Sequence, residues 1–434
     1  MYQLLFPTLL TAAFPAAVSP APAPSQDTND ERFSAMEERL KSLESELSAA
    51  MDALAEGELV GGIGADVDSG PSETQKIWAA LAQRRLAPRA ASVYSAKGIS
   101  IGGYGEALGQ VFRDRDGDNF DGLRWVMYLG SRFSDRWIFN SEIEIEHGTT
   151  GATSATTDSN GSVSIEFAYI DHLLTNTTAL RGGVVLVPMG FINERHEPTT
   201  FLPSARPETE TRIIPSTWRA TGLGGYGQVG PFAWTAYALN GLDGSDFNAS
   251  GIRGGRQSAN RASIDDVAFV GRIDYVDVPG LVVGLSAYNG DAGAATPESL
   301  NTTIVDAHAE WNEGPFSIRG LFATSNVGST EAFNSRTGES VAEEMQGWYL
   351  EAGFDLLSLT EGFGGQTLDL FARYEDIDTQ KTVRGGAAVG DGVVDKITTV
   401  GLNYRPLNQV VLKADYSFLD EGDDVARFLI GYAF

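Results

Sequence analysis

The chain contains no cysteine among its 434 residues. Without cysteine there are no disulfide bonds, no thiolate metal ligands, no cysteine nucleophile and no cysteine for lipid attachment. Basic residues are also scarce, since 31 Lys and Arg face 58 Asp and Glu, giving a net charge of −27. This balance argues against a nucleic-acid partner, which would require a basic face.

Long apolar runs are absent as well. Beyond roughly the first 20 residues there is no run of about 18 apolar residues, the length that a membrane-spanning helix requires. This excludes a helical membrane protein but not a β-barrel, because barrel strands alternate apolar and polar residues.

Residues 1–24 (MYQLLFPTLLTAAFPAAVSPAPAP) predict a signal peptide, because an apolar stretch at 4–18 precedes small residues. No Lys or Arg precedes the stretch, and three prolines blur the cleavage site. The alternative is an apolar tail that results from a misplaced start codon.

Residues 30–56 predict a short periplasmic α-helical coiled coil, and the Gly-rich, acidic residues after it belong to a linker at 57–97. The alternative for the helix is an ordinary amphipathic helix. The a/d heptad seam comprises Phe33, Met36, Leu40, Leu43, Leu47, Ala50 and Leu54.

From residue 98 to 434 the hydrophobic period changes to two, which is typical of β-strands. Leu412 and Phe418, for example, share one face, while Lys413 and Asp415 share the other. About sixteen such segments are predicted. They begin near residues 98, 121, 136, 162, 179, 218, 232, 264, 281, 302, 316, 345, 367, 394, 408 and 425.

The connections between these segments alternate between short and long. The long ones are residues 110–120, 148–161, 189–217, 240–263, 325–344 and 377–393. Outer-membrane barrels have short periplasmic turns and long external loops, whereas a soluble sandwich has no reason for this alternation. A barrel of about sixteen strands is too wide for side chains to fill, so its apolar face must contact lipid. The sequence therefore predicts an all-β protein, a transmembrane antiparallel barrel in the bacterial outer membrane.

The last residues alternate aromatic and apolar side chains, with Phe428, Ile430, Tyr432 and Phe434 on one face. This pattern looks like the C-terminal signature that the outer-membrane assembly machinery reads in bacterial barrels. The alternative, an edge strand of a soluble sandwich, would leave an aggregation-prone apolar edge.

Together, the exported N-terminus, the coiled coil, the sixteen segments and the final Phe434 resemble the phosphate-selective porin O/P-like family. Residues 183–191 (GVVLVPMGF) are similar to the strand and Pro-containing turn that precede the constriction loop in that family. The resemblance implies a homotrimer of barrels with the coiled coil in the periplasm, and phosphate selectivity that depends on lumenal Arg and Lys. This chain departs from that pattern because it has only six lysines.

Strand parity predicts which charged side chains face the lumen. Acids outnumber bases by about three in the full set, which predicts weak cation preference or little preference. Besides the principal candidates named below, that set contains Arg427 and the acids Asp274, Asp306, Glu310, Asp355, Asp369, Glu375 and Asp415. The principal lumenal candidates are Arg124, Arg132, Glu142, Glu144, Glu146, Arg272, Arg319, Glu351, Arg373, Arg405 and Lys413.

The connection at 189–217 is the predicted pore constriction. It contains several prolines and apolar residues such as Phe191, Phe201 and Ile213, which favour a loop folded inward over an external one. The alternative is packing on a neighbouring subunit or on the barrel rim. The predicted constriction residues are Glu194, Arg195, His196, Arg206, Glu208, Glu210 and Arg212.

Catalytic and metal-binding motifs are weak. The four histidines are dispersed and there is no GxSxG motif, so an enzyme is not predicted, although an outer-membrane hydrolase stays an alternative. The acidic loop at 110–121 could offer oxygens to Ca²⁺ but lacks the EF-hand pattern, so no metal or cofactor is predicted.

The sequence thus predicts a porin, a water-filled channel for passive diffusion of ions and small hydrophilic solutes. Three alternatives stay open: a barrel whose external loops act as an adhesin or receptor, a phosphate- or anion-selective channel, and a secreted soluble β protein.

Overall fold

The computed structural model describes residues 99–148, 161–293, 295–360, 362–385 and 392–434. Sixteen antiparallel strands pair in chain order, and the last strand pairs with the first to close a barrel. The predicted signal peptide, coiled coil and linker lie outside the described residues.

The strands are β1 Ile99–Phe112, β2 Asn119–Arg132, β3 Trp137–Glu146, β4 Val163–Leu173, β5 Thr178–Leu186, β6 Arg219–Val229, β7 Phe232–Asn240, β8 Val267–Tyr275, β9 Leu281–Gly290, β10 Thr302–Glu313, β11 Phe316–Val327, β12 Ala342–Asp355, β13 Thr367–Val383, β14 Val394–Leu407, β15 Val410–Leu419 and β16 Val425–Ala433. The described residues include one α-helix, α1, which spans Thr330–Thr337. Short 3₁₀ turns occur at Gly244–Asp246, Arg253–Gly255 and Leu356–Leu359, and one π-helical turn at Thr209–Ile213.

The prediction of a sixteen-strand antiparallel barrel is confirmed. Each of the sixteen predicted segment starts lies within three residues of an observed strand start. The success reflects the strict period of two, because one face of each strand is apolar while the other faces the barrel interior.

The two faces of the wall differ as the alternation requires. On β15, Leu412 and Phe418 are 40% and 49% exposed on the outside, whereas Lys413 and Asp415 are 3% and 6% exposed on the inside. Large apolar side chains are exposed on the outer surface of many other strands, including Val305 and Trp311 on β10. A surface of this kind suits lipid, because exposed apolar area is unfavourable in water.

Backbone hydrogen bonds close the wall between β1 and β16. Gly103 and Phe434 exchange two of them, each with an N–O distance of 2.9 Å. A Cβ atom at Gly103 would collide with the Val126 carbonyl and press on the Phe434 ring, so the glycine permits this close approach.

Two predicted connections are shorter than expected. β13 continues to Val383 and β11 to Val327, so much of 377–393 and the start of 325–344 are strand. The alternation disappears there because Asp376 and Asp378 occupy positions where earlier residues of β13 present Leu370 and Tyr374. Strand pairing persists beyond the apolar belt because the backbone hydrogen bonds do not depend on apolar side chains. Between β12 and β13 the pair of Lys381 with Glu344 (2.6 Å) adds to them. Within the described residues, no helix is long and apolar enough to cross a lipid bilayer.

We expect the protein, folded in mild detergent, to migrate faster on an unheated SDS gel than after boiling, because a closed hydrogen-bonded wall resists unfolding by SDS. Electrophoresis with and without heating measures this difference. A variant that lacks residues 425–434 cannot close the wall and serves as the control; equal mobility of the heated and unheated full chain would contradict the expectation.

Candidate channel constriction

Residues 187–218, between β5 and β6, form one long loop, here called the inner loop. Its neck is closed by Val187 N–H, which donates to the Trp218 carbonyl oxygen (3.0 Å). The Asn193 amide reinforces the neck: its Nδ2 donates to the carbonyl oxygens of Val187 (2.7 Å) and Trp218 (2.9 Å), and its Oδ1 accepts from Trp218 N–H (2.6 Å). The Asn193 side chain and this backbone bond thus hold the two ends of the loop together at the barrel wall.

Basic side chains of the wall hold the inner loop inside the barrel. Each donates to backbone carbonyl oxygens of the loop, in hydrogen bonds that the positive charge strengthens. The pairs are Arg124 with His196 (2.5 Å), Arg272 with Gly190, Arg319 with Thr200 (3.0 Å), Arg373 with Ala205 (3.0 Å), and Lys413 with Phe201 (2.9 Å) and Pro203 (2.8 Å).

Wall carboxylates hold the same loop by its N–H groups. Asp415 accepts from Ser204 N–H (2.6 Å) and Asp306 from Gly190 N–H (3.2 Å). Buried backbone groups need partners, and the charged wall provides them for a segment with little regular secondary structure of its own.

Apolar side chains of the inner loop add a second anchorage. Met189, Phe191, Ile192, Ile213 and Ile214 are buried. The Phe191 ring lies edge-on against the His308 ring, with centroids 4.9 Å apart. The apolar content that distinguished this loop in the sequence therefore packs inside the barrel.

The seven predicted constriction residues divide into two groups. His196 and Glu210 are only 2% and 0% exposed, so they do not line an aqueous passage, and their assignment to its lining is corrected. Burial lowers the pKa of His196 to about 3, which leaves its ring neutral. The five that keep partly exposed side chains are Glu194, Arg195, Arg206, Glu208 and Arg212.

The eleven predicted lumenal residues are mostly buried beneath the inner loop. Besides the loop contacts, Arg124 pairs with Glu106 (2.5 Å) and Arg373 with Glu375 (2.8 Å). The members that stay partly exposed are Arg132, Glu146, Arg319 and Arg405, whereas Arg124, Glu142, Glu144, Arg272, Glu351, Arg373 and Lys413 are buried. Strand parity gives the direction of a side chain, but it does not reveal that a loop covers that side chain.

A second loop, residues 241–266, packs against the inner loop, and the sequence reasoning missed it. Arg256 donates to the Thr217 carbonyl oxygen (2.5 Å) and Arg253 to that of Thr211 (3.4 Å). Phe247 and Ile252, which belong to this second loop, are buried. These apolar residues within a polar connection are the signal that could have revealed the loop, as they did for the inner loop.

Five arginines act electrostatically on one another here and are called the arginine cluster. Four belong to the two loops and the fifth is the first residue of β6; they are Arg206, Arg212, Arg253, Arg256 and Arg219. Two of them are paired, Arg212 with Glu208 (3.0 Å) and Arg219 with Glu166. Among the described residues, no carboxylate lies within 4.0 Å of the other three. Burial and then the neighbouring arginines lower the pKa of Arg253 to about 9 and that of Arg256 to about 10.

The acidic loop between β1 and β2 forms ion pairs with the loop between β15 and β16. Arg113 pairs with Asp424 (3.0 Å) and Arg115 with Asp423 (3.5 Å). Asp118 accepts from Phe112 N–H (2.9 Å). Over the ranges that the structure describes, no three His, Asp or Glu side chains are grouped so that they could hold a metal ion.

The chain is 33% identical over 368 residues to an uncharacterized protein of Aquifex aeolicus (strain VF5), which covers 80% of this chain and 83% of that protein. The chain belongs to the same family as that protein. No protein-family model matches the chain.

Solved structures share the porin fold at low sequence identity. OmpF of Salmonella typhi, in complex with daunomycin, covers 79% of this chain and 99% of its own, with 15% identity and a TM-score of 0.52. The outer membrane channel DcaP of Acinetobacter baumannii covers 79% and 99%, with 14% identity and a TM-score of 0.50. A loop L8 deletion mutant of the Vibrio cholerae outer membrane protein OmpT covers 78% and 100%, with 10% identity and a TM-score of 0.50.

We expect Lys413→Met to destabilise the folded protein by about 1–3 kcal/mol. The Pro203 carbonyl loses its donor, and the Phe201 carbonyl keeps only the long bond from Asn403 (3.4 Å). Lys396→Met, which removes an exposed lysine of the neighbouring strand, is the matched control and should leave stability unchanged. The temperature at which the compact gel form converts to the slow form measures both effects. Identical transitions for the two variants would show that Lys413 does not anchor the loop.

Proposed function

We propose that the chain forms a water-filled channel in the bacterial outer membrane, through which ions and small hydrophilic solutes diffuse down their gradients. The observation that carries this proposal is the closed wall, apolar outside and charged inside, with the inner loop folded across its interior. A wall of sixteen strands leaves room for water beside such a loop. We assign no covalent chemistry to the protein.

We infer further that the inner loop is the constriction and that the arginine cluster gives it a preference for small anions. A simple count of lumenal charges favours weak cation preference, but most of those charges are buried in contacts with the loop. Arg206, Arg253 and Arg256 have no carboxylate within 4.0 Å among the described residues, so a passing anion meets positive charge that is not held in an ion pair. This feature fits the resemblance to phosphate-selective porin O/P-like proteins, and membership of that family is part of the proposal.

The assembly of the protein is proposed from the sequence. We propose that residues 1–24 direct export and that a periplasmic coiled coil at 30–56 aids formation of a homotrimer. Residues 57–97 would link the coiled coil to the barrel, and the assembly machinery would recognise Phe434. Membrane lipid is the partner that fits the exposed apolar belt, as in outer-membrane barrels generally.

We expect the purified protein to conduct in a planar bilayer and, in a salt gradient, to give a reversal potential of the sign for anion preference. Replacing both Arg253→Gln and Arg256→Gln should move that potential toward cation preference, because two positive charges leave the passage. Arg261→Gln, which changes an exposed arginine of the same loop, is the control and should have a smaller effect. A wild-type channel with clear cation preference would overturn the assignment.

We expect deletion of residues 194–212 to increase the single-channel conductance, because most of the segment that crosses the interior is removed. The measurement is the current step of single insertions at fixed voltage. Unchanged conductance in a variant that still shows heat-modifiable mobility would mean that the inner loop does not limit the passage.

A further inference from the structure

One carboxylate of the inner loop is buried without a cation beside it. Glu210 is 0% exposed, and among the described residues no Lys, Arg or His nitrogen lies within 4.0 Å of it. Its Oε2 accepts hydrogen bonds from the backbone N–H groups of Phe191 (2.7 Å) and Ile192 (2.8 Å), and its Oε1 accepts one from the Tyr349 hydroxyl (2.6 Å). Three donors thus compensate the carboxylate for the loss of water.

These donors come from two separate parts of the molecule. Phe191 and Ile192 lie 19 and 18 residues before Glu210, near the start of the inner loop, whereas Tyr349 belongs to β12. A single side chain therefore joins the start of the loop, its later part and the barrel wall.

The surrounding backbone is shaped to receive this carboxylate. Gly190 has a φ of +62°, and a Cβ atom there would collide with the Glu210 carboxylate. On the wall, a Cβ atom at Gly347 would lie 3.0 Å from the Thr209 side chain and 3.2 Å from that of Ile213. Glycines on both sides thus let the Thr209–Ile213 turn sit close to β12.

Glu208 provides the internal comparison. It lies two residues earlier and is the same type of residue, yet its side chain is 36% exposed and pairs with Arg212 (3.0 Å). One short turn therefore presents one carboxylate to the passage and directs the other into the packing behind it.

We propose that Glu210 is a positioning residue that sets the aperture of the channel: through its three hydrogen bonds it fixes the loop segment that bears Glu208 and Arg212. The inference rests on the proposed channel function and deepens it. The exposed residues determine which ions pass, whereas Glu210 determines the shape in which those residues are held.

Glu210→Gln tests this role with little change in volume. The glutamine oxygen can accept from the backbone N–H pair, but its nitrogen only donates, so the bond donated by the Tyr349 hydroxyl is lost unless that hydroxyl turns to accept. The bonds that stay are made to a neutral acceptor and are weaker than bonds to a carboxylate. In single-channel recordings we expect larger open-channel current fluctuations and an altered conductance, because the loop samples more positions. Glu208→Gln makes the same substitution at the exposed site, and we expect it to shift the reversal potential without added fluctuations.

A second readout does not require conduction. The chain has no cysteine, so Thr209→Cys introduces a single thiol at a side chain that is 0% exposed and whose hydroxyl makes no hydrogen bond. We expect a small methanethiosulfonate reagent to modify this thiol about tenfold faster in the Glu210→Gln background than in the Glu208→Gln background, because lost hydrogen bonds favour local opening.

Equal labelling rates and equal current fluctuations in the two backgrounds would overturn the role of Glu210. A wild-type protein that does not conduct would instead overturn the channel function, while the labelling would still decide whether Glu210 holds the loop. Heat-modifiable mobility reports whether each variant folds. If Glu210→Gln does not fold, Tyr349→Phe removes only one of the three donors, and the same comparison with Glu208→Gln then decides.

Discussion

The hydrogen bonds between charged wall side chains and the backbone of the inner loop are the interaction on which the interior of this protein depends. A barrel of sixteen strands is too wide for the side chains of its wall to fill, so water or another segment of the chain must occupy its interior. Here a loop enters the interior, and its backbone groups must find partners there. Arg373, Lys413 and Asp415 are three of the wall residues that provide them.

This anchorage changes how the net charge of −27 should be interpreted. A charge that binds a buried carbonyl or N–H group is compensated locally and has less influence on a solute. Lys413, for example, faces the interior but is only 3% exposed. The electrostatic character of the passage therefore depends on the minority of side chains that stay exposed. Among these are Arg206, Arg253 and Arg256, for which the described part of the chain offers no carboxylate within 4.0 Å.

Strand number, strand faces and the inward loop could be predicted from the sequence because each depends on local pattern: period two for the wall, and apolar residues such as Phe191 and Ile213 in an otherwise polar connection. Which charged residues of the loop are exposed and which are buried could not be predicted. Glu208 and Glu210 are indistinguishable in sequence, and only the turn at Thr209–Ile213 separates the exposed carboxylate from the buried one. The arginine cluster could not be predicted either, because most of its residues come from two loops that are far apart in the sequence.

Most wall contacts to the inner loop reach its main chain rather than its side chains, as the bonds from Arg319 to Thr200 and from Lys413 to Pro203 show. A backbone carbonyl is present whatever residue carries it. The exposed side chains of the loop can therefore be exchanged with little effect on the bonds that hold its path. The path of the loop and the chemistry of its exposed side chains are therefore separable. Substitutions at exposed loop positions can change which solutes pass while the barrel stays the same, in evolution and in protein design.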